Sequence, residues 1–342
     1  MIFTKKNNIV TLTGLSILIG LVILIIWNKN YFIIRYYNSA YALPGRASVD
    51  RSPALNIQGE NNINNIKKYQ NAMQFERGFY DTAFSFAHND GFSEKNIVAA
   101  IVPHHLLAAD LVARIFQGLK EQKYDTIILL SPNHFLAGSG KIITTREDWQ
   151  TPYGVLENDN IVTDELLKDN DVKEEEAPFG NEHGIFNEIG FIKRTFPTAK
   201  VVPLIFMPGV DEGVTRRLVD ILDKINPPTL PALKLRQAGP QYTGANKKVL
   251  VLVSADFSHN TDSETAIKNN EKNLEILNNS DFKNFTQIKV DTPPAIFTVL
   301  KYAQANGAKF KMIDNANSEI LSGEKGLKNV TSYITGYFYV VN

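Results

Sequence analysis

VLVLVSADFSH, residues 249–259, runs five aliphatic residues together, passes through two small ones, and only then presents an acid and a histidine. A short, uninterrupted run of valine and leucine is the pattern of a strand covered on both faces, as strands of parallel sheets are. Working outward, NIVAAIV (96–102), DTIILLS (125–131) and VVPLIFM (201–207) repeat it, KIIT (141–144) is a shorter version, and TSYITGYFYVV (331–341) closes the chain. Helical patterns at 106–121, 185–196, 214–225 and 292–306 fall between these runs. That alternation predicts an α/β fold with a mainly parallel central sheet flanked by helices.

The rest of the chain sets limits on this reading. Its 342 residues, 44% hydrophobic and 21% charged, suffice for a large core and exclude wholesale disorder. Lys+Arg and Asp+Glu number 36 each, so no basic footprint points to nucleic acid. With no cysteine there is neither disulfide nor thiolate ligand, and any metal must be held by histidine, carboxylate or backbone.

Residues 9–27 (IVTLTGLSILIGLVILIIW) carry no charge and are long enough, as a helix, to cross most of a bilayer core. Lys5 and Lys6 precede the run, Trp27 ends it, and Lys29, Tyr31 and Arg35 follow. We read residues 1–37 as a single-pass membrane anchor with the body of the protein outside the cytoplasm. The rival reading is secretion after cleavage at the small-x-small sequence Ala40-Tyr41-Ala42. Residues 38–75, rich in Asn with Pro44, Pro53 and Gly45, read as a linker. The folded domain is expected over 76–342, with a Pro- and Gly-rich surface insertion at 226–247.

Chemistry gathers where the apolar runs end, which is where parallel sheets open their ligand crevices. His104 and His105 follow the first run, His134 the second, and His259 the run at 249–255. His183 opens a predicted helix, whereas His88 lies outside the pattern and reads as structural. One histidine after a strand is an ordinary polar residue; several sharing one sheet end suggest a metal or catalytic pocket. Nearby carboxylates are Glu182, Asp256 and Asp291, and for Asp256 turn capping is the competing role. Imidazole and carboxylate together suit Zn, Fe, Ni, Cu or Mn, and two histidines with one carboxylate suit non-haem Fe(II). LAGSGK (136–141) lacks the phosphate-loop pattern, and no Gly-x-Ser-x-Gly elbow supports a hydrolase.

Six segments in order, VPHH (102–105), LSPNHF (130–135), TPYGVLEND (151–159), NEHGIFNEIGFI (181–192), SADFSH (254–259) and TSYITGYFY (331–339), together resemble the Memo family, known in prokaryotes as AmmeMemoRadiSam system protein B. The resemblance spans roughly 96 to 341. It implies a fold similar to class III extradiol dioxygenases, with a strand-end pocket for iron or copper, and functional association with a radical SAM protein. Carried over, it implies His104 and His134 as metal ligands and puts Asp291 at or near the place of the family's cysteine ligand. It sets Asp256 and His259 beside the metal and matches His183 to the family's Glu-His segment. The chain departs from the family in Pro-His-His-Leu, in Pro-Asn-His-Phe and in the missing cysteine. A carboxylate in the cysteine's place favours a harder ion, Fe(II), with Cu or Zn as alternatives. The expectation is a membrane-anchored protein holding a divalent metal through His104, His134 and Asp291. His183, His259 and Asp256 then serve as acid–base or hydrogen-bonding groups in dioxygenase-like redox chemistry. The alternative is a non-catalytic module that binds a small molecule or peptide on the same fold.

Overall fold

The computed structural model describes residues 69–71, 76–88, 92–226 and 247–341. The apolar run at 9–27, most of the linker and nearly all of the insertion lie outside the described residues. Among the described residues no helix is long and apolar enough to cross a membrane.

The strands, in chain order, are β1 (Tyr69–Asn71), β2 (Ile97–Val102), β3 (Thr126–Pro132), β4 (Ile142–Thr144), β5 (Asp148–Thr151), β6 (Gly154–Leu156), β7 (Val172–Glu174), β8 (Lys200–Phe206), β9 (Val249–Ser254), β10 (Ala308–Asn317) and β11 (Ser332–Val340). Among the described residues, eight of them form one sheet in the order β10-β11-β2-β9-β3-β8-β4-β7. The centre, β2-β9-β3-β8, is parallel throughout, while β11 joins β2, β10 joins β11 and β4 joins β8 antiparallel. This is the α/β architecture with a mostly parallel central sheet that the apolar runs imply. A small second sheet, β1-β5-β6, includes Tyr69–Asn71 from within the stretch read as linker.

Burial on both faces follows from the period of the strands. Along β3, Ile128 and Leu130 enter one core while Ile127 and Leu129 enter the other; along β9, Val251 and Val253 oppose Leu250 and Leu252 in the same way. The first core is closed by the helices Glu212–Ile225 and Pro293–Ala305, through Leu218, Leu222, Ile296 and Leu300. The second is closed by Arg77–Phe86, Ala109–Leu119 and His183–Thr195, where Phe191 meets Tyr80 edge-on at 4.9 Å and stacks on Phe116 at 5.9 Å. Each fully buried aliphatic of these strands contributes about 1.5–3 kcal/mol relative to exposure.

His104 and His134 follow strands that are consecutive in the chain but not neighbours in the sheet, because β9 lies between them. The two histidines therefore approach each other across the end of a third strand.

Candidate functional site

Three strands and one helix end at the site. At the end of β2, the His104 backbone N–H donates to Asp256 Oδ1 (3.2 Å), its carbonyl accepts from Asn187 Nδ2 (2.8 Å), and its ring Nδ1 pairs with Ser254 Oγ (3.2 Å). With backbone and Nδ1 engaged, Nε2 is the atom turned toward the carboxylates, 3.3 Å from Asp291 Oδ2 and 3.7 Å from Asp256 Oδ2. Beyond β3, the His134 backbone N–H donates to Glu182 Oε2 (2.9 Å) and its Nδ1 lies 2.6 Å from Glu182 Oε1. A carboxylate on one ring nitrogen fixes the tautomer and leaves the other nitrogen as a lone-pair donor.

Glu182 is fully buried and caps the His183–Thr195 helix, its Oε1 accepting the Gly184 N–H at 3.0 Å. This helix start packs directly on β3: a Cβ on Gly184 would stand 2.0 Å from Ser131 Oγ. Glycine there lets the helix come close enough for His183 to stack on His134, with ring centroids 3.9 Å apart. His183 is also 5.3 Å from His104, centroid to centroid, and the ligand atoms of His104, His134 and His183 all lie within 4.8 Å of one another.

Asp291 comes from the segment before the Pro293–Ala305 helix. A bridge between Phe257 and Val290, and the Asp291 N–H donating to the Asp256 carbonyl (3.0 Å), bind that segment to the end of β9. Asp291 Oδ2 accepts from the Asp256 N–H (3.0 Å) and lies 4.0 Å from His134 Nε2 and 3.8 Å from His259 Nε2. Its Oδ1 is buried and has no hydrogen-bond partner.

These contacts set the charges. Burial alone would lower the His104 pKa, but Asp256 and Asp291 outweigh it and raise it to about 10. Burial would likewise raise Asp291; the His104 charge and the hydrogen bonds from His104 and His259 hold it well below the usual carboxylate range. Burial, reinforced by His134 and His104, depresses His183 to about 3, so its ring is neutral at physiological pH. In His259, burial is outweighed by Asp291 and Asp256, and its pKa is raised. Glu188 is fully buried with neither carboxyl oxygen hydrogen-bonded, and burial pushes its pKa well above the usual carboxylate range.

The family described as Memo-like protein matches residues 69–230. Over those residues the chain is similar to the Memo-like family. It is 26% identical over 254 residues to a MEMO1 family protein of Caldivirga maquilingensis, covering 71% of this chain and 83% of that one. To a MEMO1 family protein of Sulfurisphaera tokodaii it is 24% identical over 262 residues, covering 72% and 84%. A solved structure of an uncharacterized protein from Escherichia coli K12 aligns with 70% of this chain and 99% of its own at a TM-score of 0.40 and 12% identity.

The Memo-like match includes His104, His134 and His183, while Asp256, His259 and Asp291 lie beyond it. The structure brings all six together. His88 is exposed after the Arg77–Phe86 helix. His183, expected as an acid–base group, stands among the imidazoles that could hold a metal. Glu182, read from the sequence as a nearby carboxylate, caps the helix and orients His134. Ser254, at the end of β9, is the ring partner of His104. Asn187 and Glu188 escape sequence reasoning; their one signal is a polar pair inside an otherwise apolar helix, GIFNEIGFI.

The donors fit a divalent transition metal. Clustered imidazole nitrogens, two with their Nδ1 already engaged, and a buried carboxylate oxygen without a partner form the mixed nitrogen and oxygen set such ions prefer.

Proposed function

We propose that this Memo-like domain holds a divalent metal through His104, His134 and Asp291, with His183 as a further nitrogen donor, and that it is a metal-dependent oxidoreductase acting on a small molecule. The observation that carries the reading is the convergence of three imidazoles and an unsatisfied buried carboxylate oxygen at the carboxyl ends of a parallel sheet. Fe(II) suits this set best; such an ion supplies Lewis acidity and one-electron chemistry toward a coordinated oxygen.

The chain's own groups have separable tasks. Ser254 and Glu182 hold the His104 and His134 rings, and Asp256 fixes the His104 backbone. His183 remains unprotonated and available as a donor. His259 is the acid–base group: it is 40% exposed and its Nε2 lies 3.8 Å from Asp291 Oδ2, so it can pass a proton between solvent and a bound molecule. The apolar run at 9–27 supports a second inference, that the domain is tethered to a membrane.

Elemental analysis of protein purified without chelator tests the metal. About one equivalent is expected in the wild type, and His104→Ala and His134→Ala should each lose it while keeping a cooperative unfolding transition. Full occupancy in both folded variants overturns the assignment.

A further inference from the structure

Immediately after His134 the chain exposes two large apolar side chains, Phe135 at 56% and Leu136 at 62%. Among the described residues they are the one pair of sequence neighbours of this kind. Water contact forfeits about 1.5–3 kcal/mol for each relative to burial. The backbone is strained as well, because Leu136 adopts the left-handed region at φ +51°. A residue with a branched side chain occupies that region only when its surroundings force it, at roughly 1–3 kcal/mol.

The surroundings do force it. Buried Asn133 grips Ala137 twice, its Nδ2 donating to the carbonyl (2.7 Å) and its Oδ1 accepting the N–H (3.1 Å). Further along, the Glu175 carboxylate accepts from the Ser139 N–H (2.9 Å), the Ser139 hydroxyl (2.8 Å) and the Gly140 N–H (3.1 Å). The loop is thus clamped at both ends around the exposed pair. Phe135 is also tied to the site, its ring edge-on to His183 with centroids 6.1 Å apart.

We propose that Phe135 and Leu136 are the specificity lip of the histidine site, gripping the apolar or ring-bearing body of a small ligand whose oxygen-donor head binds at the metal. The proposal rests on the metal reading above. A small ligand is favoured over a protein partner because two side chains offer far less than the roughly 1,000 Å² a specific protein interface requires. The position beside His183 and His134 puts the lip where only the part of a ligand outside the coordination sphere can reach.

The test uses the full chain in mild detergent, loaded with Co(II), whose absorption spectrum reports coordination directly. The probes are acetohydroxamate and benzohydroxamate, which share one coordinating head and differ in the body. The wild type should bind benzohydroxamate roughly tenfold more tightly or better, as burial of a phenyl ring predicts. Phe135→Ser/Leu136→Asn should keep one equivalent of cobalt, which certifies its fold, and bring the two affinities within about twofold; Asn tolerates the left-handed backbone. Leu136→Asn alone should give an intermediate ratio. Equal affinities in the wild type, or an unchanged preference in the double variant, overturn the lip while leaving the metal site standing. Failure of the wild type to take up cobalt overturns the metal reading and the lip with it.

Discussion

Glu182 links three features that sequence inspection treats separately: the helix start at Gly184, the loop after β3, and the imidazole of His134. Its carboxylate charge is what makes the His134 ring a strong donor, so Glu182→Gln should separate shape from charge. We expect the variant to fold with a melting temperature close to wild type and to bind metal about 10–100-fold more weakly, measured by competition with a chromophoric chelator. An unchanged affinity would make Glu182 a helix cap alone. The placement of His104, His134 and His259 was legible because strand ends in a parallel sheet converge, and His183 was legible as the opening residue of a helix. The Glu182–His134 pairing was not, because it joins residues 48 apart through the depth of a helix's approach to a strand, and Gly184, which permits that approach, reads in sequence as an ordinary glycine.

Elements were legible in proportion to how apolar their buried faces are. The four central parallel strands announce themselves, while β10 does not: AKFKMIDNAN is half exposed along its length and lies at the sheet edge, where lysine and aspartate guard against stray pairing. The helix Ser263–Asn279 was missed for a different reason. Its inward face is built partly of asparagine, Asn270 bonding to Asn315 and Ser332, and Asn273 clamping the backbone of Lys289 from both sides, so the hydrophobic period is broken where the helix is buried. The short helix Asn160–Leu166 yields a pH prediction. Its N-cap, Asp159, accepts from Val162 N–H, Thr126 and Lys247. Burial would raise the Asp159 pKa, but Lys247 and Thr126 outweigh it and the pKa is lowered. Its stabilising contribution is therefore complete above the ordinary carboxylate value of about 3.9 and lost as pH falls through the lowered one. Asp159→Asn keeps a capping side chain and removes the charge. It should cost on the order of 2 kcal/mol at neutral pH and flatten the acid limb of melting temperature against pH; an acid limb unchanged from wild type would show that the pair contributes nothing.

At the scale of the whole molecule, the proposed membrane tether rests on the apolar run at 9–27. If that run is a retained anchor, the protein should sediment with membranes, resist carbonate extraction and keep its original amino terminus by protein sequencing. A soluble chain beginning near Leu43 would establish the cleaved alternative. The sheet order carries a consequence of another kind. β9 separates the strands of His104 and His134, yet it is made more than a hundred residues after them, and Asp291 later still. During synthesis the three histidines leave the ribosome first, with neither the strand that spaces them nor the carboxylates that complete them. On the proposed reading, capture of an ion would be deferred until nearly the whole domain has emerged, and a prematurely terminated chain would have no finished site in which to hold a reactive metal.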